Sequence, residues 1–164
     1  MKVSILEKKT DLEQKAEIKK ILKKELPLKK DGWNFNWREL SKVEGSFIYK
    51  ITLLESPNKI EGILMLTIFN EEMLFMNNIE LAPHNIGKNK KYDSVAGCLL
   101  AYGCRESFEK GKGNYHGFLS FDSKTELIEL YQNKYGASLA IGHKMFFAPE
   151  SGKKLMKQYL GIKK

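Results

Sequence analysis

The feature that most constrains this chain is a change from β-strand to helix near its middle. Ile79-Glu-Leu-Ala-Pro83 reads as the end of a strand, a loop follows, and Lys91-Tyr-Asp-Ser-Val-Ala96 opens an apolar helix. The first N–H groups of a helix carry partial positive charge and bind anions. Lys88, Lys90 and Lys91 add full charges. The pattern predicts a site for a pyrophosphate at this turn.

Length and composition place the chain among globular proteins. It has 164 residues, of which 42% are hydrophobic, enough for one domain with a buried core. We therefore expect a single domain over residues 1–164. No apolar run reaches the roughly 18–20 residues of a membrane span, and the first residues lack a signal-peptide pattern. We expect a cytoplasmic protein that does not enter a membrane.

The two cysteines predict neither a disulfide nor a metal site. Cys98 and Cys104 are six apart on one predicted helix, so they lie on different faces. The sequence has no Cys-x-x-Cys and no histidine pair at ligand spacing. We expect two buried small residues and no metal.

The net charge of +8 is compatible with nucleic acid or with an anionic small ligand. The aromatic residues do not alternate with the basic ones in a base-stacking stripe, which argues against nucleic acid. A basic surface also argues mildly against polyamine or histone-tail partners, because like charges repel.

The first third of the chain predicts a strand followed by two helices. Val3 to Leu6 reads as a strand. Thr10-Asp-Leu-Glu13 reads as a capping box that opens a helix ending at Pro27. Asn36 to Leu40 reads as a second, short helix.

The rest of the chain predicts an antiparallel meander and then a crossover. A strand, a helix and a second strand in succession predict that the two strands are parallel. The predicted elements are strands Ser46–Leu54, Ile60–Phe69 and Met73–Leu81 with a turn at Ser56–Asn58, a helix Asp93–Lys110, a strand Tyr115–Phe121, a capping box Ser123–Glu126 with a helix ending near Gly136, one or two strands in Ala137–Phe147, and a helix Ser151–Leu160.

This order of elements resembles the GNAT N-acetyltransferase superfamily from about Ile48 to Phe147. Lys91-Tyr-Asp-Ser-Val-Ala96 is similar to the family's phosphate loop, Arg/Gln-x-x-Gly-x-Gly/Ala. Ser94 stands where the family has its first Gly, so its backbone needs favourable dihedral angles. An alternative register places Gly87-Lys-Asn-Lys90 at the glycine-rich turn.

A second segment carries the resemblance further along the chain. Lys124-Thr-Glu-Leu-Ile-Glu-Leu-Tyr-Gln-Asn-Lys-Tyr-Gly136 is similar to the family's Asn-x-x-Ala-x-x-Leu-Tyr-x-Lys-x-Gly-Phe. Tyr131 falls on the family's Tyr, Lys124 replaces the Asn and Ala137 replaces the Phe.

The resemblance implies a fold and an activity. The fold is mixed α/β, with a mostly antiparallel central sheet flanked by helices and a parallel strand pair that splays to bind CoA. The activity is transfer of an acetyl group from acetyl-CoA to a primary amine of an unknown small-molecule or protein acceptor, by direct attack in a ternary complex. Acetyl-CoA and the amine are the implied partners, and a homodimer stays open.

The resemblance also implies the residues that hold acetyl-CoA. Ile79 and Leu81 would bond the pantetheine arm through the main chain. The phosphates and the rest of the cofactor would contact Lys88, Asn89, Lys90, Lys91, Tyr92, Asp93, Ser94, Val95, Ala96 and Lys124.

Acetyl transfer needs an acid for the departing thiolate and a base for the amine. The resemblance implies Tyr131 as the acid. Glu80 is the predicted base because it lies where the parallel strands would separate, and His84 is an alternative. Asn77 and Asn78 are candidates to orient the amine, and Asp122 is read as a turn residue. The scattered acids Glu55, Glu61 and Glu72 are candidates to attract a cationic acceptor.

Two other functions stay open at this point. One is a GNAT-like protein that binds CoA or an acyl-CoA without catalysis, which Ser94 in the glycine position favours. The other is a basic nucleic-acid-binding protein, which steeply salt-dependent binding would reveal.

Overall fold

The computed structural model describes residues 1–162 and forms a mixed sheet with helices. Nine strands occur in this part of the chain: β1 (Lys2–Glu7), β2 (Leu12–Lys20), β3 (Phe47–Leu53), β4 (Ser56–Phe69), β5 (Met73–Leu81), β6 (Tyr92–Asp93), β7 (Leu119–Asp122), β8 (Ser138–Leu139) and β9 (Lys144–Phe147). Four α-helices accompany them: α1 (Trp37–Leu40), α2 (Val95–Lys110), α3 (Ile128–Tyr135) and α4 (Pro149–Leu160).

The strands form one sheet in the order β6-β1-β2-β3-β4-β5-β7-β9-β8. β5 and β7 pair in parallel, with Leu74 opposite Leu119 and Met76 opposite Phe121. β1–β2, β1–β6, β2–β3, β7–β9 and β8–β9 pair antiparallel. The predicted mixed α/β fold with a parallel strand pair is confirmed, and β5 has the predicted bounds.

The predicted helix from Thr10 to Pro27 is wrong. The chain turns at Asp11, whose φ is 57°, and returns as β2, so that Val3 lies opposite Ala16. Ala16 and Ile18 are the buried residues of β2, two apart as a strand requires, whereas Leu12 is 61% exposed. Pairing with β1 and β3 therefore overrides the helical spacing of Leu12 and Ala16.

Several element boundaries also differ from the prediction, and α2 begins at Val95 because Asp93 belongs to β6. Ser56–Asn58 belongs to β4 and is not a turn. β7 begins at Leu119, because a 3₁₀ turn occupies Gly113–Tyr115. The Ser123–Glu126 capping box does not form: Ser123 Oγ donates to the Lys124 carbonyl, and α3 begins at Ile128 after a 3₁₀ turn.

The chain divides into two compact units. Unit 1 comprises Met1–Met65 and Asn78–Leu99, and unit 2 comprises Leu66–Asn77 and the described residues from Leu100 onward. β4, β5 and α2 each contribute residues to both units, so neither unit is a contiguous piece of chain.

The core of unit 1 is built on the segment around α1. Trp37 is fully buried and Trp33 nearly so, in a cluster completed by Leu26, Ile48, Ile63, Met65 and Ala82. Both tryptophans therefore serve as packing residues. Asn36 caps α1 by accepting a hydrogen bond from the Glu39 N–H at 3.3 Å.

A glycine lets α2 approach the sheet in unit 1. A Cβ built on Gly62 of β4 would lie 2.9 Å from Leu99 Cδ1 and 3.0 Å from Val95 Cγ1. These distances are shorter than a carbon–carbon van der Waals contact. Any side chain at Gly62 would therefore force the Leu99 and Val95 side chains of α2 to shift.

The core of unit 2 is aromatic. The rings of Phe121 and Phe147 stack 5.4 Å apart, and the Tyr131 ring of α3 lies 4.8 Å from Phe121. Tyr135 continues the row at 6.3 Å from Tyr131 and contacts Tyr159 of α4. α3 ends at Gly136, which has a left-handed backbone.

Each unit contains one buried thiol on α2. Cys98 in unit 1 and Cys104 in unit 2 are both buried, and neither forms a disulfide. Burial raises the pKa of Cys98 to about 12 and raises that of Cys104 further above its ordinary value. The expectation of two buried, unlinked cysteines is confirmed.

Candidate active site

The predicted phosphate loop leaves β5, makes a 3₁₀ turn at Pro83–Asn85 and returns as β6 before α2 begins. Its base is closed by two hydrogen bonds. The Lys91 N–H donates to the His84 carbonyl at 2.8 Å, and the Tyr92 N–H donates to Asn85 Oδ1 at 3.1 Å. The intervening loop, residues 86–90, therefore projects from a fixed base.

Glu61 anchors this base from β4. Its side chain is fully buried, and its Oε1 lies 2.5 Å from His84 Nε2 and 3.0 Å from Asn85 Nδ2. The amide of Asn85 also donates to the Glu61 carbonyl at 3.0 Å. Glu61 Oε2 has no hydrogen-bond partner among residues 1–162. A buried carboxylate in such a network positions the loop. Because Glu61 is buried, an amine substrate in solution does not reach it.

Sequence reasoning placed Glu61 only among scattered acids. The signal that marks it is an acid inside the apolar run of β4, Ile60-Glu-Gly-Ile-Leu-Met-Leu66. Lys, Glu, Arg and Asp are almost never fully buried unless they are paired, so an acid in such a run points to a partner.

Ser94 occupies the conformation that favours glycine. Its φ is 72°, in the left-handed region. The Ser94 N–H donates to Asp93 Oδ1 at 2.9 Å, and the Ser94 carbonyl accepts from Cys98 N at 2.9 Å to begin α2. Ser94 therefore has the favourable dihedral angles that the predicted register requires, and the register itself stays a prediction.

The backbone N–H groups of the predicted phosphate-binding segment, Lys91–Ala96, fall into two sets. Those of Lys91, Tyr92 and Ser94 donate to protein acceptors, as described above. Val95 and Ala96 begin α2, where N–H groups have no intrahelical acceptor. Within this segment, the first turn of α2 therefore offers N–H groups that no carbonyl of the helix accepts.

The side chains of the predicted phosphate loop differ in exposure. Lys88, Asn89 and Lys91 are exposed, and Lys91 Nζ lies 5.5 Å from the centre of the Tyr92 ring. Lys90 Nζ pairs with Asp93 Oδ1 at 3.2 Å. Burial raises the pKa of the Tyr92 phenol. Lys88 and Lys91 are therefore exposed to solvent in the segment that leads into α2.

Glu80 holds the segment that precedes α1. Its side chain is 7% exposed. Its carboxylate accepts from the Asn34 N–H at 2.6 Å, the Phe35 N–H at 3.2 Å and Trp37 Nε1 at 2.8 Å. Its assignment as the general base stays a prediction, and this geometry gives it a positioning role. Its neighbours on β5, Ile79 and Leu81, are half-buried.

In unit 2, Tyr131 and Lys124 lie on either side of a 3₁₀ turn. Tyr131 is half-buried against Phe121 and Tyr135, and this burial raises the pKa of its phenol. A raised pKa keeps the hydroxyl protonated at neutral pH, as an acid for a departing thiolate must be. Lys124 is exposed just before the turn Thr125–Leu127.

The pairing of β5 with β7 ends within unit 2. Met76↔Phe121 is the last pair, while β5 continues to Leu81 and β7 to Asp122. A groove of about 470 Å³ reaches this end of the pair and includes Asn77 and Asp122 in its lining. We call it the β5–β7 groove; its other lining residues are Thr67, Ile68, Phe69, Met73, Phe75, Ser120, Phe121, Ala140, Lys144, Met145 and Phe146.

Residues 1–162 contain neither a metal-binding group nor a membrane-spanning helix. No group of three or more His, Cys, Asp or Glu side chains among them is arranged to hold a metal ion. Among the same residues, no helix has both the length and the apolar character needed to cross a bilayer.

Many solved structures are similar to this chain, and three of them represent different proteins. One is a GNAT family acetyltransferase from Elizabethkingia anophelis with acetyl-CoA bound, 18% identical, with a TM-score of 0.53 over 76% of this chain and 77% of that one. Another is a mutant AtaT toxin bound to the C-terminus of the antitoxin AtaR, 12% identical, with a TM-score of 0.62 over 87% and 99%. The third is a mutant spermidine/spermine N-acetyltransferase SpeG from Vibrio cholerae, 11% identical, with a TM-score of 0.57 over 85% and 98%.

The sequence comparisons add no relative: no protein-family model and no curated protein matches the chain. The structural similarity therefore identifies the fold. The mixed sheet, its one parallel pair β5–β7 and the solved neighbours together show that this chain has the fold of the GNAT superfamily.

Proposed function

We propose that the protein is an N-acetyltransferase that moves the acetyl group of acetyl-CoA to a primary amine. One observation carries the proposal: Ser94, which the sequence register aligns with the family's glycine, has a left-handed backbone immediately before α2, and the loop that leads to it carries the exposed Lys88 and Lys91. A helix N-terminus with flanking lysines suits a diphosphate. The fold and the neighbour with acetyl-CoA support the same ligand.

In this proposal acetyl-CoA lies along the residues named for it. The pantetheine arm bonds the main chain at Ile79 and Leu81. The diphosphate is held by the first turn of α2 and by the exposed lysines of the loop, whose base Asn85 and Glu61 hold in place. Preorganised donors avoid reorganisation when the anion binds.

The chemical step is a direct attack of the amine on the thioester. The amine nitrogen forms a bond to the acetyl carbon, the carbon–sulfur bond breaks, and the thiolate takes a proton. Tyr131 supplies that proton as the acid. Glu80 remains the predicted base, although its carboxylate already accepts three hydrogen bonds from the α1 segment.

Calorimetry with acetyl-CoA, CoA and ADP at two salt concentrations tests the proposal. We expect micromolar binding of acetyl-CoA that weakens about tenfold in a Lys88→Ala/Lys91→Ala double variant, since each lysine contributes a charge-assisted contact. Lys59→Ala removes an exposed lysine of the same unit and serves as the control. Absence of binding at millimolar acetyl-CoA would refute the proposal.

Binding of CoA without catalysis is the second candidate. It is favoured by Glu80, because a carboxylate with three hydrogen-bond donors has little capacity left to accept a proton from an amine. A protein of this kind would bind acetyl-CoA and release no thiol with any amine. The thiol-release assay separates the two candidates.

A further inference from the structure

The β5–β7 groove is an apolar surface that the cofactor residues do not use. Phe75, Ser120 and Phe146 lie side by side on it, because they are paired in register across β5, β7 and β9. Phe69 adds a ring that is 56% exposed. Side chains of the alternate positions, such as Leu74 and Phe147, are fully buried.

One end of the groove is polar. Asp122 and Lys144 are opposite each other in the β7–β9 pair, and both are exposed. Neither takes part in an ion pair among the described residues. Asn77 lies at the same end, where it accepts a hydrogen bond from Thr67 Oγ1 at 2.9 Å. This is the end at which β5 and β7 stop pairing.

We propose that the β5–β7 groove binds the acceptor, and that the acceptor is a primary monoamine on an apolar, ring-sized body. The inference rests on the proposed acetyltransferase function and names its substrate class. A volume of about 470 Å³ accommodates such a molecule. The apolar floor covers the body, and Asp122 provides one carboxylate for one ammonium group.

The charge of the groove argues against a polyamine. Asp122 and Lys144 are its charged side chains and cancel each other. A second or third ammonium group would find no carboxylate in the lining and would meet Lys144. The acceptor class therefore differs from that of SpeG, whose name gives spermidine and spermine.

Asp122, in place of the hydrogen-bonded Glu80, gives the amine a route to its neutral, nucleophilic form. The ammonium loses its first proton to the Asp122 carboxylate, which passes it to solvent. The neutral nitrogen then attacks the acetyl carbon, and the carbon–sulfur bond breaks as the thiolate takes the Tyr131 proton. The second proton of the nitrogen restores the Tyr131 phenol, so the products are the amide, CoA thiol and one proton.

The first arm of the test compares two amines in a thiol-release assay, with calorimetry of each amine and of acetyl-CoA run separately. We expect kcat/KM for 2-phenylethylamine to exceed that for spermidine at least tenfold. Equal or higher kcat/KM for spermidine would overturn the inference. If acetyl-CoA does not bind, the proposed function fails by itself, and calorimetry of 2-phenylethylamine still decides whether the groove takes an apolar amine.

The second arm uses variants of the groove. We expect Phe146→Ala and Asp122→Asn each to raise the KM for 2-phenylethylamine at least fivefold and to leave the Kd of acetyl-CoA unchanged. Ile141→Ala, 82% exposed on the same hairpin, and Glu126→Gln, an exposed acid of unit 2, are the matched controls. Unchanged KM in both groove variants would overturn the inference.

A third variant keeps the test decisive if Phe146→Ala does not fold. Lys144→Glu changes an exposed side chain and makes the polar end doubly acidic. We expect it to lower the KM for spermidine at least fivefold relative to the native protein. No gain for spermidine would mean that the charge of this groove does not select the acceptor.

Discussion

The phosphate-loop base in unit 1 and the β5–β7 groove in unit 2 are built in opposite ways. At the loop base, Glu61, His84 and Asn85 bond one another and the backbone of β6. In the groove, strand pairing sets apolar rings side by side, and the two charged side chains have no ion pair among residues 1–162. The first region fixes a backbone shape, and the second leaves a surface uncovered.

The two regions suit different parts of a ligand set: a constant cofactor and a variable acceptor. In the proposed function, the diphosphate is the same in every reaction. Backbone donors bind it, and a buried network fixes their positions. A variable acceptor is served by side chains on a sheet face, which can change without altering the fold. Variants of the two regions can test this division.

Replacing Glu80 should cause the largest loss of stability. Glu80→Ala leaves the N–H groups of Asn34 and Phe35 and the Trp37 indole without their acceptor, in a buried site. We expect the free energy of unfolding to fall by about 3–4 kcal/mol, measured by urea denaturation. Glu39→Ala, an exposed acid of α1, is the control.

The same variant also bears on the predicted base. A Glu80 that acts only as a base would leave the unfolding free energy of Glu80→Ala near that of the native protein while activity is lost. That result would remove the positioning role assigned to this carboxylate.

Removing the Tyr131 hydroxyl should affect catalysis and not binding. We expect Tyr131→Phe to lower kcat about a hundredfold, with the Kd of acetyl-CoA within twofold of the native value. Tyr135→Phe, on the same face of α3, is the control. A native kcat in Tyr131→Phe would show that another group protonates the thiolate.

The pKa of Tyr131 gives this prediction a pH dependence. The acid must be protonated, and burial raises its pKa. The native protein should therefore lose the Tyr131 contribution only above pH about 10, the ordinary value of tyrosine. A decline assigned to Tyr131 below that pH would contradict the buried position of the ring.

Breaking the loop base should weaken binding of acetyl-CoA with little effect on kcat. Asn85→Ala removes the acceptor of the Tyr92 N–H and two bonds to Glu61. We expect about 2 kcal/mol less stability and a higher Kd for acetyl-CoA by calorimetry. Asn58→Ala, an exposed asparagine of unit 1 outside the loop, should change neither the stability nor the Kd of acetyl-CoA. Equal effects of the two variants would mean that the base does not position the loop.

The smallest effect concerns the backbone at Ser94. A non-glycine residue with a φ of 72° is strained, at a cost of order 1 kcal/mol or more. We expect Ser94→Gly to raise the free energy of unfolding by about 0.5 kcal/mol, because the added freedom of the unfolded chain offsets part of the relief. A β-branched Ser94→Val should destabilise instead, and differential scanning calorimetry can compare both.

The sequence predicted the elements whose pattern is local. Met73–Leu81 and the helix that begins near Ser94 are strongly apolar and bounded by turn residues. Ser94 has a left-handed backbone, which favours glycine, and its alignment with the family's glycine stays a prediction. β2 was missed because its alternating burial depends on pairing with β1 and β3, which a helical count of Leu12 and Ala16 cannot detect.

The β5–β7 groove and the loop base could not be predicted from local sequence patterns. Asn77, Asp122 and Lys144 come together from three strands far apart in sequence, and Asp122 alone looks like a turn residue. Glu61 meets His84 and Asn85 across a separation of more than twenty residues. Such contacts depend on strand register, which a single sequence does not specify.

The two cysteines of α2 allow the local unfolding of each unit to be measured by thiol modification. Cys98 lies in unit 1 and Cys104 in unit 2, and a buried thiol must reach solvent before an alkylating reagent can modify it. Matched modification rates would show that both units unfold in one cooperative event, and unequal rates would measure their separate opening free energies. Mass spectrometry of the single helix would thus follow each unit without any label.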